Sequence, residues 1–248
     1  MKPQIALQLY TLREALTQDF PGTLQRIAAM GIRHVESAFW PEGMAVQTAA
    51  RLIHEAGLSV MAAHIELPLG DQQGPVLEAL AALGCTRAIW HGWPQSPAYS
   101  SLAGIERLAE QYNASNDLLR SHGYSFGLHN HWWEFEPVEG RYPHEVLLER
   151  IDPTIFFEVD TYWVKTAGRD PVQVVAELGD RAPLLHIKDG PAIKGAAMVA
   201  AGDGSLNFPA ILQAAPMAEW LIIELDRCET DMVTAVERSF QYLTNLTK

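Results

Sequence analysis

The chain has 248 residues, 48% of them hydrophobic, and carries 30 acidic against 18 basic side chains for a formal net charge of -12. That length fills a single parallel α/β barrel around one core, and the acidic balance leaves no basic surplus to neutralise a phosphate backbone, so no nucleic-acid partner is expected. Cys85 and Cys228 lie far apart and make no disulfide framework; MKPQIALQLY lacks a signal-peptide pattern and no uncharged apolar stretch is long enough for a bilayer, so a soluble cytoplasmic protein without a membrane partner is expected.

Taken in chain order, the apolar periodicity predicts a strand at 4–8 and a helix at 21–30, then strand 33–36 and helix 44–56, strand 59–64 and helix 76–83, strand 87–91 and helix 105–121. The second half continues with strand 125–129 and helix 143–151, strand 155–160 and helix 171–178, strand 184–188 and helix 209–214, and finally strand 221–224 and helix 230–244. Gly31, Gly57, Gly84, Gly123 and Gly179 fall just past helical patterns, where a left-handed stop is wanted. Strict alternation of strand and helix implies a parallel sheet, and eight such units favour one closed (β/α)8 TIM barrel domain over residues 1–248. An open doubly wound sheet is the alternative, but no glycine-rich dinucleotide or phosphate fingerprint follows the first strand.

Each of the last four strand patterns runs into a side chain that can hold a metal: His129, Asp160, His186 and Glu224. Parallel neighbours would bring their carboxyl ends to one face, where barrel active sites lie. Two imidazoles and two carboxylates form a mixed nitrogen and oxygen set suited to one divalent ion, manganese, zinc, cobalt or iron, rather than calcium. Glu36, His64 and His91 end the second, third and fourth strand patterns, while His131, Glu158, Lys188 and Asp189 flank the four candidates and offer partners for ligating imidazoles. Tryptophans gather in the same loops at Trp40, Trp93, Trp132, Trp133 and Trp163; Trp93 and Trp163 are the expected pocket walls, able to stack on a sugar face. The turn at Gly202-Asp203-Gly204 is too weak a signal for phosphate binding. No serine stands in a nucleophile elbow and neither cysteine adjoins a histidine, so covalent acyl chemistry has no local support.

QLYTLRE near the start, GLHNHWWEF, FEVDTYWVKTAGRDP, HIKDG and IIELD together resemble the xylose isomerase-like barrel family, in its sugar phosphate isomerase/epimerase branch. The motifs run from end to end of the chain and in order. The resemblance implies a TIM barrel with one divalent metal, often manganese, held by His129, Asp160, His186 and Glu224, and proton transfers beside a sugar carbonyl. Ketose epimerases of the family carry a glutamate where GLHNH places His129 and pair it with the glutamate of the last strand as two bases. That departure makes dehydration or elimination on a keto-sugar, keto-glycoside or keto-inositol the runner-up to isomerisation or epimerisation.

The resulting expectation is a metal-dependent isomerase or epimerase of a small carbohydrate, working through an enediolate. Glu224 doubles as ligand and general base, His131 moves the second proton, and His64, His91 and Lys188 contact hydroxyls between Trp93 and Trp163. A barrel that only binds a sugar or a protein is the rival from another class. A homo-oligomer is compatible with either.

Overall fold

The computed structural model describes residues 2–92 and 96–248. Eight strands close into a parallel barrel in sequence order: β1 (Gln4–Gln8), β2 (His34–Ser37), β3 (Ser59–Ile65), β4 (Arg87–Trp90), β5 (Ser125–His129), β6 (Phe156–Asp160), β7 (Leu184–Ile187) and β8 (Trp220–Ile223), with β8 pairing back onto β1. The fold is a TIM barrel, as expected. The surrounding helices are α1 (Arg13–Gln18), α2 (Phe20–Ala29), α3 (Val46–Glu55), α4 (Gln73–Leu83), α5 (Leu102–Ser121), α6 (Pro143–Arg150), α7 (Thr161–Thr166), α8 (Pro171–Leu178), α9 (Phe208–Ala214) and α10 (Met232–Leu246). No described helix is long and apolar enough to cross a membrane.

Strand residues alternate between two destinations. One set, including Leu7, Val35, Phe126, Leu128, Phe157, Val159, Leu185, Ile187, Leu221 and Ile223, packs outward beneath the helices. The other set points into the barrel, where Ala6, Met61, Ala62, Ile89, Leu184, Trp220 and Ile222, with Phe156 against them, form a closed apolar floor. A bulge between β2 and β3 lets Met61 and Ala62 both belong to this floor and resets the phase so that His64 also faces inward. Gly127 is needed opposite Phe156, because a Cβ there would stand 2.2 Å from the Phe156 ring.

Two helices had no counterpart in the sequence reading. Helix α1 is a single short turn region after a 3-10 segment, and α7 begins directly at Asp160, whose Oδ1 accepts from Trp163 N at 2.9 Å and caps it. The other helices agree within a few residues; α4 and α5 each begin three residues earlier than their apolar periodicity suggested, at Gln73 and Leu102. Gly84 stops α4 in the left-handed conformation with φ 66° and ψ 23°.

Candidate active site

Above the apolar floor, the next inward positions of the strands are polar without exception: Gln8, Glu36, His64, His91, His129, Glu158 with Asp160 one inward step further on, His186 with Lys188, and Glu224. The barrel therefore has a dry lower half and a polar, ionisable upper half at its carboxyl end. Register reinforces the grouping, with Gln8 beside Glu36, His129 beside Glu158, and Asp160 beside His186.

His186 stands at the centre and is fully buried. Its Nδ1 lies 2.5 Å from Glu224 Oε2, and its Nε2 lies 2.8 Å from Glu36 Oε2 and 3.1 Å from Glu158 Oε2. Glu158 Oε2 also meets His64 Nε2 at 2.8 Å and His129 Nδ1 at 3.1 Å, while Glu36 Oε2 accepts from Gln8 Nε2 at 2.5 Å. Lys188 is buried among three carboxylates, 2.9 Å from Glu224, 3.1 Å from Asp160 and 3.1 Å from Asp226. Asn130 holds the Asp160 backbone from both sides, accepting from its N–H at 2.9 Å and donating to its carbonyl at 3.2 Å.

The electrostatics follow from burial and crowding. Burial pushes Glu36 up to about 7, reinforced by the neighbouring Glu158 charge, and pushes Asp160 up to about 6 against the opposing pull of Lys188 and His186. Burial opposes charge on Glu224 as well, but Lys188 and His186 outweigh it and hold that carboxyl well below its ordinary range. His186 is likewise driven above its usual value against the effect of burial by Glu158, Glu224 and Glu36. Burial and the neighbouring His186 keep His129 neutral, and burial and Lys188 do the same for His131.

The four expected ligands do converge. Ligand atoms of His129, Asp160, His186 and Glu224 all lie within 4.8 Å of one another. A second set, His64, His129, Glu158 and His186, satisfies the same limit and shares two members. Two observations make the first set fit a divalent ion. Asp160 Oδ2 and His129 Nδ1 are buried atoms without an aligned hydrogen-bond partner, although Lys188 and Glu158 lie near them, and buried polar atoms of this kind can turn to a metal. The cluster also gathers four buried carboxylates, with Lys188 beside Asp160 and Glu224 and His186 beside Glu36, Glu158 and Glu224, a carboxylate-rich setting that suits a cation. Glu158 and His64 form the layer beneath, already bonded to each other.

The chain belongs to the xylose isomerase-like TIM barrel family. The family model matches residues 24–246. Among solved structures, the chain is similar to a sugar phosphate isomerase/epimerase from Parabacteroides distasonis, at 25% identity and a TM-score of 0.83, covering 100% of this chain and 96% of that one. An L-ribulose 3-epimerase shares the fold at 15% identity and a TM-score of 0.73, covering 99% and 94%. So does a probable 3-DHS dehydratase from Bacillus anthracis, at 14% identity and a TM-score of 0.73, covering 99% of each. No curated protein matches the chain. The relatives in this family thus include epimerases, isomerases and dehydratases.

The remaining expected site residues are distributed around the cluster. His64 lies within it, and its ring stacks over His186 with centroids 5.7 Å apart. His91 is at the rim, a quarter exposed, with Nε2 3.6 Å from Glu66 Oε1. Trp163 is buried at the start of α7, with Lys188 Nζ 5.3 Å from its ring centroid and Trp132 packed against it at 4.8 Å. His131 stacks flat on Trp133 at 4.1 Å, and its backbone N–H donates to Glu134 Oε2 at 2.9 Å. Trp93 lies outside the described residues. The sequence reading gave Gln8, Glu134 and Asp226 no role and Glu158 only a supporting one. Strand alternation from Asp160 was the available signal for Glu158, two residues earlier on the same inward face. Asp189 turns away from the cluster and accepts from the backbone N–H groups of Gly190, Gly202, Gly204 and Leu206, so the Gly202–Gly204 turn wraps a carboxylate of this chain.

Proposed function

We propose that the protein is a divalent-metal-dependent isomerase or epimerase of a keto-sugar or related polyol, acting through an enediolate, with the whole chain as one barrel domain in the cytoplasm. The observation that carries this reading is the convergence of His129, Asp160, His186 and Glu224 at the open end of the barrel, with two ligand atoms among them lacking an aligned hydrogen bond. Those four residues would hold the cation, manganese first and zinc, cobalt or iron as alternatives, and when bound it would supply Lewis-acid polarisation of the substrate carbonyl and its neighbouring hydroxyl.

The chain's own residues account for the rest. Glu224, kept ionised by Lys188 and His186, accepts the proton from the carbon beside the carbonyl. Lys188 presents an ammonium beside that carboxylate and the face of Trp163, where it stabilises negative charge developing on oxygen. We assign hydroxyl contacts to His64 and His91 and sugar stacking to Trp163, the role also expected of Trp93. Epimerisation also needs a second group on the opposite face of the carbon, the role first given to His131. The second reading is elimination, favoured by His129 standing where family epimerases carry a glutamate: a ligating neutral imidazole is a poor base, and elimination needs one base and an acid for the leaving group.

Elemental analysis of the purified protein tests the site. We expect about one divalent transition metal per chain, removable by chelator, and reduced occupancy in Asp160→Ala and His186→Ala. Full occupancy in both variants defeats the assignment.

A further inference from the structure

A protein interior accepts a lysine only where carboxylates match its charge. Lys188 is 1% exposed, and its Nζ lies 2.9 Å from Glu224 Oε2, 3.1 Å from Asp160 Oδ2 and 3.1 Å from Asp226 Oδ2. An ammonium has three hydrogens to donate and no lone pair, so these three carboxylates take up its whole capacity. The contacts are not alike. The one to Asp226 is an aligned hydrogen bond, whereas Asp160 Oδ2 lacks an aligned partner despite the short distance. Asp160 and Glu224 are also two of the four candidate metal ligands, while Asp226 belongs to neither group of residues able to hold a metal.

The oxygens that Lys188 approaches are those a cation needs. Asp160 Oδ1 is committed to the start of α7, where it accepts from the Trp163 N–H at 2.9 Å, which leaves Oδ2 as the ligand atom. Glu224 Oε2 is the oxygen that also meets His186 Nδ1 at 2.5 Å. A divalent ion and an ammonium on the same two oxygens repel each other at short range, in a buried site that salt screens poorly. Asp226 gives the ammonium a position that does not depend on those oxygens. It follows β8 at the rim with its side chain a third exposed, and its backbone is fixed from two sides: its N–H donates to Met198 Sδ at 3.4 Å, and its carbonyl accepts from Arg13 Nη2 at 2.8 Å.

We propose that Lys188 is the built-in competitor of the metal, its ammonium contesting Asp160 Oδ2 and Glu224 Oε2 with the cation and withdrawing onto Asp226 when the cation takes them; this rests on the metal-site reading above. Lys188 thereby sets how tightly the site grips its ion and keeps that ion exchangeable, and Asp226 is the residue that positions the displaced ammonium. The N–H groups released from Asp160 and Glu224 are the ones open to a substrate oxygen, so the contact assigned to Lys188 above is coupled to metal occupancy.

Zinc affinity, measured by competition with a chelator of known affinity, tests the proposal in wild type, Lys188→Met and Asp226→Asn at one pH and ionic strength. Lys188→Met removes the competing charge and should bind zinc at least about 10-fold more tightly than wild type, while its chelator-treated form melts at a lower temperature because three carboxylates have lost their cation. Asp226→Asn removes the ammonium's other anchor and should weaken zinc binding about 3-fold or more; it carries the test if Lys188→Met does not fold. In a crystal structure of zinc-loaded wild type, Lys188 Nζ should keep Asp226 and stand more than about 4 Å from Asp160 Oδ2. Unchanged or weaker affinity in Lys188→Met, unchanged or tighter affinity in Asp226→Asn, or an ammonium still 3.1 Å from Asp160 Oδ2 beside bound zinc, overturns the proposal and leaves the metal site standing. Wild type that binds no zinc at His129, Asp160, His186 and Glu224 defeats the metal reading itself, and the proposal with it.

Discussion

Glu134 shows how one buried side chain sets a pH response apart from the metal cluster. It is buried behind the Asn130–Phe135 segment, and burial pushes its carboxyl from 4.5 to about 7, with the His131 N–H as the main opposing influence. A folded-state value above the unfolded one favours the folded protein only while the group is protonated, so this contribution is present below pH 4.5 and lost as pH rises through 7. The rise corresponds to roughly 3 kcal/mol. Glu134→Gln keeps an acceptor for His131 and has no charge to desolvate. Denaturant unfolding should find the variant close to wild type at pH 5 and more stable at pH 8 by up to about 3 kcal/mol; an unchanged difference across that range would contradict the account. The residue-scale reading from sequence was strongest where chemistry ends a strand, as at His129, Asp160 and Glu224. It was weakest for Glu158, whose importance depends on three imidazoles from other strands reaching one oxygen, and for Asp226, which matters only because Lys188 leans toward it.

Among the elements, β5 and β6 illustrate why strand position was legible and local shape was not. Alternation of buried faces is written in the residue order, with Phe157 and Val159 packing outward and Glu158 and Asp160 inward. The need for Gly127 is invisible in sequence, because the ring it accommodates belongs to Phe156 on the neighbouring strand. Gly127→Ala should therefore press Phe156 into the apolar floor and destabilise the barrel by about 1–3 kcal/mol. A lowered urea midpoint at unchanged slope, with metal occupancy retained, is the expected result; wild-type stability would show that the floor has room to spare. Helix α7 escaped the sequence reading for a related reason. A residue that looks like a strand-end ligand, Asp160, is simultaneously the cap of a six-residue helix too short for a periodic signal.

At the scale of the whole molecule, the barrel concentrates negative charge at one end and closes the other with hydrocarbon. With Asp160 pushed up to about 6 and Glu36 to about 7, both protonated at low pH, protons and a divalent ion compete for the same cluster. Above pH 7 both are ionised, and a bound ion adds to the relief that Lys188 and His186 give. Added manganese or zinc should raise the Tm of chelator-treated protein more at pH 8 than at pH 5, and an equal rise at both would place the ion elsewhere. Barrel closure and strand order were legible because eight repeats of one unit admit few arrangements. The inter-strand network was not, since it depends on how far each side chain leans across the barrel. Product analysis by NMR in deuterated water, with metal-loaded and chelator-treated enzyme on ketoses, keto-glycosides and keto-inositols, decides whether metal-dependent proton transfer beside a sugar carbonyl takes place here. Deuterium should appear at an intact carbinol carbon, be lost on chelation and return on adding metal; release of water or an aglycone, with an unsaturated or deoxy-keto product, would overturn the isomerase or epimerase reading.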